Sequence, residues 1–265
     1  MTMERVIAID WSGAKLGAER KIWIAEARDG DLVLIENGRS REEVTRWLIE
    51  EAGKGDRLLV GIDFAFSTPV WFLAERGFGS ARDLWLAARE SAEEWLRQCD
   101  HPFWGRPGKK CVIAKEQRFR RTEDRTSAQS VFQIGGAGAV GTGSLRGLTT
   151  LCALQAGGFD VWPFDDPSSE RSLVVEIYPR VWSPGIRKTR LEERRDFLKS
   201  FERFPRLRPE MRARAASTDD SFDAAVSALG MDAHRSELSS LPRIADEQLR
   251  AEGIIWRPEW RELLR

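Results

Sequence analysis

Two short apolar runs, each followed by an aspartate, constrain the fold of this chain more than any other feature. Residues 6–9 are Val-Ile-Ala-Ile ahead of Asp10, and residues 58–62 are Leu-Leu-Val-Gly-Ile ahead of Asp63. Uninterrupted apolar runs of this length are typical of strands that are covered on both faces of a sheet. Both segments are therefore predicted to be central strands, and each places a carboxylate at its carboxyl end.

The segment between the two runs predicts how they are arranged. Residues 21–27 and 32–35 have the pattern of two further strands, joined by hairpin connections. Ser40 and Glu43 form a capping-box pattern at the start of a helix. A right-handed crossover through that helix would return the chain to a strand parallel to the first. Because sites in open α/β sheets form at the carboxyl ends of strands, the two aspartates are expected to be neighbours there.

The sequence as a whole predicts one α/β domain over 1–265, with a helical and loop region inserted at about 80–165. Further helices are expected at 80–98, 145–155, 189–203 and 219–230, and further strands at 130–134, 161–163 and 173–177. No repeat, low-complexity tract or clear linker divides the sequence.

The charge, cysteine and hydropathy patterns exclude several classes of protein. Lysine and arginine together number 42, as do aspartate and glutamate, so the net charge gives no general attraction to nucleic acid or to membranes. The three cysteines have no Cys-x-x-Cys spacing and indicate neither a disulfide framework nor a zinc site. No leader-like segment is apparent, and no apolar run approaches the roughly 18 residues of a membrane helix. A cytoplasmic protein is therefore expected.

A late segment, 217–225, adds two carboxylates on one face of a helix. Asp220 and Asp223 are three residues apart, so their side chains project from the same side. Two such carboxylates repel each other unless a cation lies between them, and divalent ions with oxygen ligands supply that charge. The alternative is helix capping, since Ser217 with Asp220 resembles a capping box and the helix dipole favours acids in the first turn. Asp223 lies beyond the first turn and favours the metal site.

Together these motifs resemble the ribonuclease H-like superfamily and, within it, the DUF429 domain family of predicted nucleases. The segments that carry the resemblance are 8–13, 61–66, 120–123, 130–133, 162–165, 175–180 and 219–224. They extend from the first strand to the late helix. The resemblance implies an α/β fold with a ribonuclease H-like mixed sheet of five strands and helices on both faces.

The resemblance also implies a metal site and a reaction. The ligands to Mg²⁺ or Mn²⁺ would be Asp10, Asp63, Asp220 and Asp223. Two such ions about 4 Å apart could activate a water and stabilise the leaving oxygen during phosphodiester cleavage. The implied function is that of a metal-dependent nuclease or phosphodiesterase acting on nucleic acid or on a small phosphodiester.

Other charged residues near these motifs each have two readings. Glu176 follows a predicted strand and is a candidate fifth catalytic acid, or it forms a salt bridge with Arg180 or Arg121. Arg120 and Arg121 belong to a basic segment that could bind the phosphates of a substrate. Such runs are also found as solvated surface charge.

Residues 135–147 are rich in glycine and contain a formal Gly-x-Gly-x-x-Gly sequence. A dinucleotide site is not favoured, because the helix is expected to begin only after residues 142–144 and no opening βαβ unit surrounds the motif. Backbone amides of a mobile loop beside the acids could contact a phosphate. A tight bend that permits close packing is the alternative.

Two further functions remain open from the sequence. ATP-using phosphotransferases of the actin-like type share this core, and residues 10–13 loosely resemble their first phosphate loop. Those proteins normally duplicate the domain, for which 265 residues leave little room. A non-catalytic module that binds nucleic acid or protein is the third hypothesis.

Overall fold

Six strands form one mixed sheet in the computed structural model, which describes residues 3–123, 128–200, 204 and 206–264. The strands are β1 (Glu4–Asp10), β2 (Trp23–Arg28), β3 (Asp31–Asn37), β4 (Arg57–Ile62), β5 (Phe159–Val161) and β6 (Ser172–Glu176). Their order across the sheet is β3-β2-β1-β4-β6-β5. The pairs β1/β2 and β2/β3 are antiparallel, and the pairs β1/β4, β4/β6 and β5/β6 are parallel. The predicted meander followed by a parallel return is confirmed.

Helices cover both faces of this sheet. They are α1 (Arg41–Ala52), α2 (Val70–Glu75), α3 (Ala81–Gln98), α4 (Val140–Ala156), α5 (Leu191–Lys199), α6 (Pro209–Ala215), α7 (Asp219–Ala233), α8 (Arg235–Ser239) and α9 (Glu247–Glu252). Side chains alternate along β1, so Ile7 and Ile9 share a core with α1, α3 and α4, while Val6 and Ala8 share a second core with α7. None of the helices in the described ranges is long and apolar enough to cross a membrane.

The central strands bring three acids to the same end of the sheet, where these strands have their carboxyl ends. In the parallel pair of β1 and β4, Ile9 lies opposite Ile62, and the Asp63 amide donates to the Ile9 carbonyl at 3.0 Å. On the other side of β4, the last residue of β6, Glu176, also lies opposite Ile62. The carboxyl ends of β1, β4 and β6 are therefore adjacent, as predicted for Asp10 and Asp63.

The sheet has six strands, not the five that the resemblance implied, because Phe159–Val161 forms a short edge strand. The strand predicted at 161–163 thus lies two residues earlier. The amides of Phe164 and Asp165 both donate to the Val161 carbonyl at 2.9 Å, so the chain turns directly after the edge strand.

The strand predicted at 130–134 is wrong, since these residues form a turn. The Ser130 carbonyl accepts from the Gln133 amide at 3.0 Å, and the Ser130 hydroxyl accepts from the Phe132 amide at 3.3 Å. A serine side chain that bonds the nearby backbone in this way competes with sheet pairing.

Helix α4 begins at Val140, five residues before the predicted start at 145. Glycine makes this start possible, because a Cβ on Gly141 would lie 2.0 Å from the Val131 carbonyl oxygen. The expectation that 142–144 delay the helix is therefore wrong. The helix predicted at 189–203 is the shorter α5, and residues 201–203 lie outside the described ranges.

Candidate metal centre

Helix α7 brings two further acids to the strand ends. It packs across β1, β2 and β3, and its residue Asp223 is buried, with 3% of its surface exposed. The helix is capped by Thr218, whose hydroxyl accepts from the Ser221 amide at 2.9 Å. The capping box of Ser217 with Asp220, which was the alternative interpretation, is therefore wrong, although Asp220 does lie in the first turn of the helix.

Four carboxylates act on one another's charge at this point, and we call them the acid cluster: Asp10, Asp63, Asp220 and Asp223. Asp10 and Asp223 are buried, whereas Asp63 and Asp220 are partly exposed. Within the described ranges, only Asp223 of the four has a side-chain hydrogen bond or ion pair. Burial without a hydrogen-bond donor is costly for an ionised carboxylate, so the other three are suited to an external partner.

The pKa values of all four aspartates are raised, and burial is the largest cause in each case. Burial and then repulsion by Asp223 raise the pKa of Asp63 to about 8. The pKa of Asp223 rises to about 6 despite an opposing effect of Lys188. The pKa of Asp10 lies well above its usual range, because Asp223, Asp63 and Asp220 add to the effect of burial. The charged form of each of these carboxyls is therefore disfavoured, and a bound cation would stabilise it.

A pH dependence of stability follows for the protein kept in a chelator. Asp63 binds its proton more tightly in the folded chain than in the unfolded one, so this group favours folding at low pH. That contribution is lost as the pH rises from 3.8 to about 8. The melting temperature of wild type should consequently fall relative to that of Asp63→Asn across this range. A difference between the two proteins that does not vary with pH would contradict the raised pKa.

Lys188 is the residue of this site that the sequence did not reveal. It lies in the irregular segment between β6 and α5, and its ammonium group forms an ion pair with the Asp223 carboxylate. Burial acts to lower the pKa of Lys188, but Asp223, Asp10 and Asp63 outweigh it and the pKa is raised. In the sequence Lys188 is one of many basic residues between 187 and 214, and no spacing distinguishes it from them.

The chemistry of the acid cluster fits a hard divalent ion, although its side chains do not enclose one as they stand. Carboxylate oxygens are the preferred protein ligands of Mg²⁺, and three of these four groups have no side-chain partner among the residues that the structure describes. In the described part of the chain, no group of three or more His, Cys, Asp or Glu residues is placed closely enough to hold a metal ion. The fourth carboxylate is bonded to Lys188.

Glu176 lies beside the acid cluster, but its carboxylate is bonded within the protein. The Arg120 Nη1 donates to Oε2 at 2.7 Å, and the Phe66 amide donates to the same oxygen at 2.9 Å. The Arg120 Nη2 donates to Oε1. The Glu176 carbonyl accepts from the Trp256 amide at 2.7 Å. The salt-bridge partner is Arg120, so the prediction of Arg180 or Arg121 is wrong.

Arg120 is enclosed, with none of its side chain exposed. Besides Glu176, its guanidinium donates to Glu123 Oε1 at 2.7 Å and to the Glu252 carbonyl at 3.0 Å. Direct contact with a substrate phosphate, as predicted for Arg120, is not available in this position. The Arg121 side chain is 42% exposed and bonds Asp246 at 2.6 Å, so its phosphate role stays a prediction.

A cavity of about 390 Å³ opens beside Asp63, and of the four acids in the cluster only Asp63 lines it. Its lining includes the charged residues Asp63, Glu176 and Lys188, the aromatic residues Trp11, Phe64 and Tyr178, and the start of α4 with Gly138, Ala139, Val140 and Gly143. The glycine-rich segment is therefore next to the acids, as predicted. It also packs tightly, because a Cβ on Gly13 would lie 2.6 Å from the Gly143 amide nitrogen. A cavity with a few convergent charged groups suits a small polar ligand or the end of a nucleic-acid strand.

Comparison of the chain with protein-family models gives no match, and comparisons with curated proteins and with solved structures give none either. The resemblance to the DUF429 domain family therefore stays a prediction. The functional conclusions below depend on the geometry of the acid cluster and the cavity beside it.

Proposed function

We propose that this protein is a divalent-metal-dependent nuclease or phosphodiesterase, with the acid cluster as its metal site. One observation carries the proposal: carboxylates from β1, α7 and the residue after β4 act on one another's charge, Asp63 among them lines an open cavity, and three of the four have no partner within the described ranges. Like charges of which three have no protein partner in the described ranges are explained by a ligand that supplies positive charge.

The strand order supports a ribonuclease H-like core for this site. An antiparallel meander of three strands precedes a helix and a parallel strand, and acids end the first and fourth strands. A later helix that carries Asp220 and Asp223 packs across the meander. The mixed sheet with helices on both faces agrees with the α/β fold that the motifs implied, with one additional edge strand.

The residues of the chain have separate roles in the proposed reaction. The acid cluster would hold Mg²⁺ or Mn²⁺, which supplies an activated water and charge stabilisation at the leaving oxygen. Glu176 does not need to act as a ligand, because its bonds to Arg120 and to the Phe66 amide hold the loop that follows Asp63. Glu176 would thus position the acids rather than bind the ion.

The proposal is tested by a cleavage assay over single-stranded and double-stranded DNA and RNA and over small phosphodiesters. Cleavage is expected with Mg²⁺ or Mn²⁺ and is expected to disappear in a chelator. If the folded protein cleaves none of these substrates with either ion, the proposed reaction is wrong. A shift of the melting temperature by ATP would instead favour the phosphotransferase, and nucleic-acid binding that survives neutralisation of the carboxylates would favour the binding module.

A further inference from the structure

We propose that Lys188 is an internal cation of the acid cluster and that it competes with the divalent ion for the Asp223 carboxylate. This inference builds on the proposed function, since it concerns the same site. It states which cation pairs with Asp223 before the divalent ion binds, and that this pair must break when the ion binds. The contacts of Lys188, the burial of Asp223 and the anchoring of the backbone carry it.

The first step is the bond between the two residues. The Lys188 ammonium donates to Asp223 Oδ2, and only 4% of the Asp223 side chain is exposed. Within the described ranges Asp223 has no other side-chain hydrogen bond, and no other basic group forms an ion pair with the acid cluster. A buried carboxylate with one partner depends on that partner for its charge balance. Lys188 therefore has the role of a counter-ion in the metal-free protein.

The second step is that the lysine and the ion exclude each other. An ion shared by Asp223 and the strand acids would lie within a few ångströms of an ammonium bonded to the same carboxylate. At such a distance a divalent ion and an ammonium repel strongly, more so in a partly buried site than in water. The Asp223 carboxylate consequently exchanges one cation for the other.

The third step is that the side chain can leave while the backbone stays. Arg194 is buried, and it donates to the Lys188 carbonyl, to the Ala216 carbonyl at 2.9 Å and to the Ser217 carbonyl at 3.3 Å. These bonds hold the backbone of Lys188 against the segment that enters α7. The Lys188 side chain is 40% exposed, lines the cavity and has four rotatable bonds. Exchange therefore needs only a change of rotamer into the cavity.

Isothermal titration calorimetry with Mn²⁺ tests the competition, using Lys188→Met, which keeps the length of the side chain and removes its charge. We expect Mn²⁺ to bind Lys188→Met at least about 10-fold more tightly than it binds wild type. Groups next to a metal ligand change metal affinity on this scale. Lys199→Met is the matched control. Lys199 is exposed and pairs with Asp196 on the same helix, α5, so the Mn²⁺ affinity of this variant should equal that of wild type.

Thermal melting gives a second readout. In a chelator Lys188→Met should melt below wild type, because Asp223 loses its counter-ion, and saturating Mn²⁺ should raise its melting temperature by more than it raises that of wild type. If Lys188→Met does not fold without the ion, Lys188→Arg replaces it and should bind Mn²⁺ no more tightly than wild type.

The outcomes separate the two proposals. If Mn²⁺ binds Lys188→Met no more tightly than wild type, or binds Lys188→Arg more tightly, the competition is wrong while the metal site stands. If neither wild type nor Lys188→Met binds Mn²⁺, the metal site is wrong and the competition fails with it. If Mn²⁺ binds Lys188→Met but not wild type, the result supports both the metal site and the competition.

Discussion

Replacing Asp10 by asparagine is expected to abolish metal-dependent cleavage without unfolding the protein. Asparagine has the same shape but offers one neutral oxygen, so the ion loses a charged ligand at the end of β1. The expected fall in kcat/KM exceeds roughly 100-fold. A loss of that size is the most that is usually found when a group that only orients a metal ligand is removed. Because Asp10 is buried among like charges, the variant should melt at the same temperature as wild type or higher in a chelator.

Asp223→Asn should show the same loss of cleavage but a different stability. It removes the charge that Lys188 neutralises, so no gain in melting temperature is expected. Asp196→Asn is the control: it neutralises an exposed acid of α5 that pairs with Lys199, and it should retain cleavage. Cleavage by Asp10→Asn at the rate of wild type would show that the acid cluster is not the catalytic centre.

Replacing Arg120 by methionine should produce the largest loss of stability among single variants near the site. Arg120, Glu123 and Glu176 are buried together, so the substitution removes a cation that pairs with both carboxylates. Breaking a buried ion pair in this way costs about 3–5 kcal/mol of unfolding free energy. For a chain of this size that corresponds to a fall in melting temperature on the order of 10 °C.

Arg121→Met provides the comparison for this variant, measured by denaturant unfolding under the same conditions. Its ion pair with Asp246 is exposed on both sides, and exposed pairs contribute about 0–1 kcal/mol. Adding Glu123→Gln and Glu176→Gln to Arg120→Met should recover part of the loss, since two buried negative charges are then removed. Equal stabilities for Arg120→Met and Arg121→Met would mean that the buried ion pairs do not stabilise the fold.

The parts of the site that depend on strand order could be predicted from the sequence. Asp10 and Asp63 follow apolar runs long enough to identify central strands, and a single helix between them favours a parallel return. Asp223 could be assigned because helical spacing places it on the face of Asp220 and beyond the capping turn. These inferences need only local periodicity and one rule of chain connection.

The parts that depend on tertiary contacts between irregular segments could not be predicted. Lys188 meets Asp223 across 35 residues from a segment without periodicity. Arg120 stands in the run Arg-Phe-Arg-Arg, which has the composition of a surface, and its burial follows from contacts with Glu176 and Glu252 far away in the chain. The sequence predicts too late a start for α4, because glycine lowers helix propensity. In the folded protein, however, close packing at the start of this helix requires glycine.

The bond from the Trp256 amide to the Glu176 carbonyl also bears on the order in which the site can assemble during translation. Trp256 is made eighty residues after Glu176, which at about 5–20 residues per second is a delay of roughly 4–16 s. Until then Arg120 also lacks the Glu252 carbonyl. The nascent chain can thus form its meander early, but the surroundings of the acids are completed only after residues 252–256 leave the ribosome.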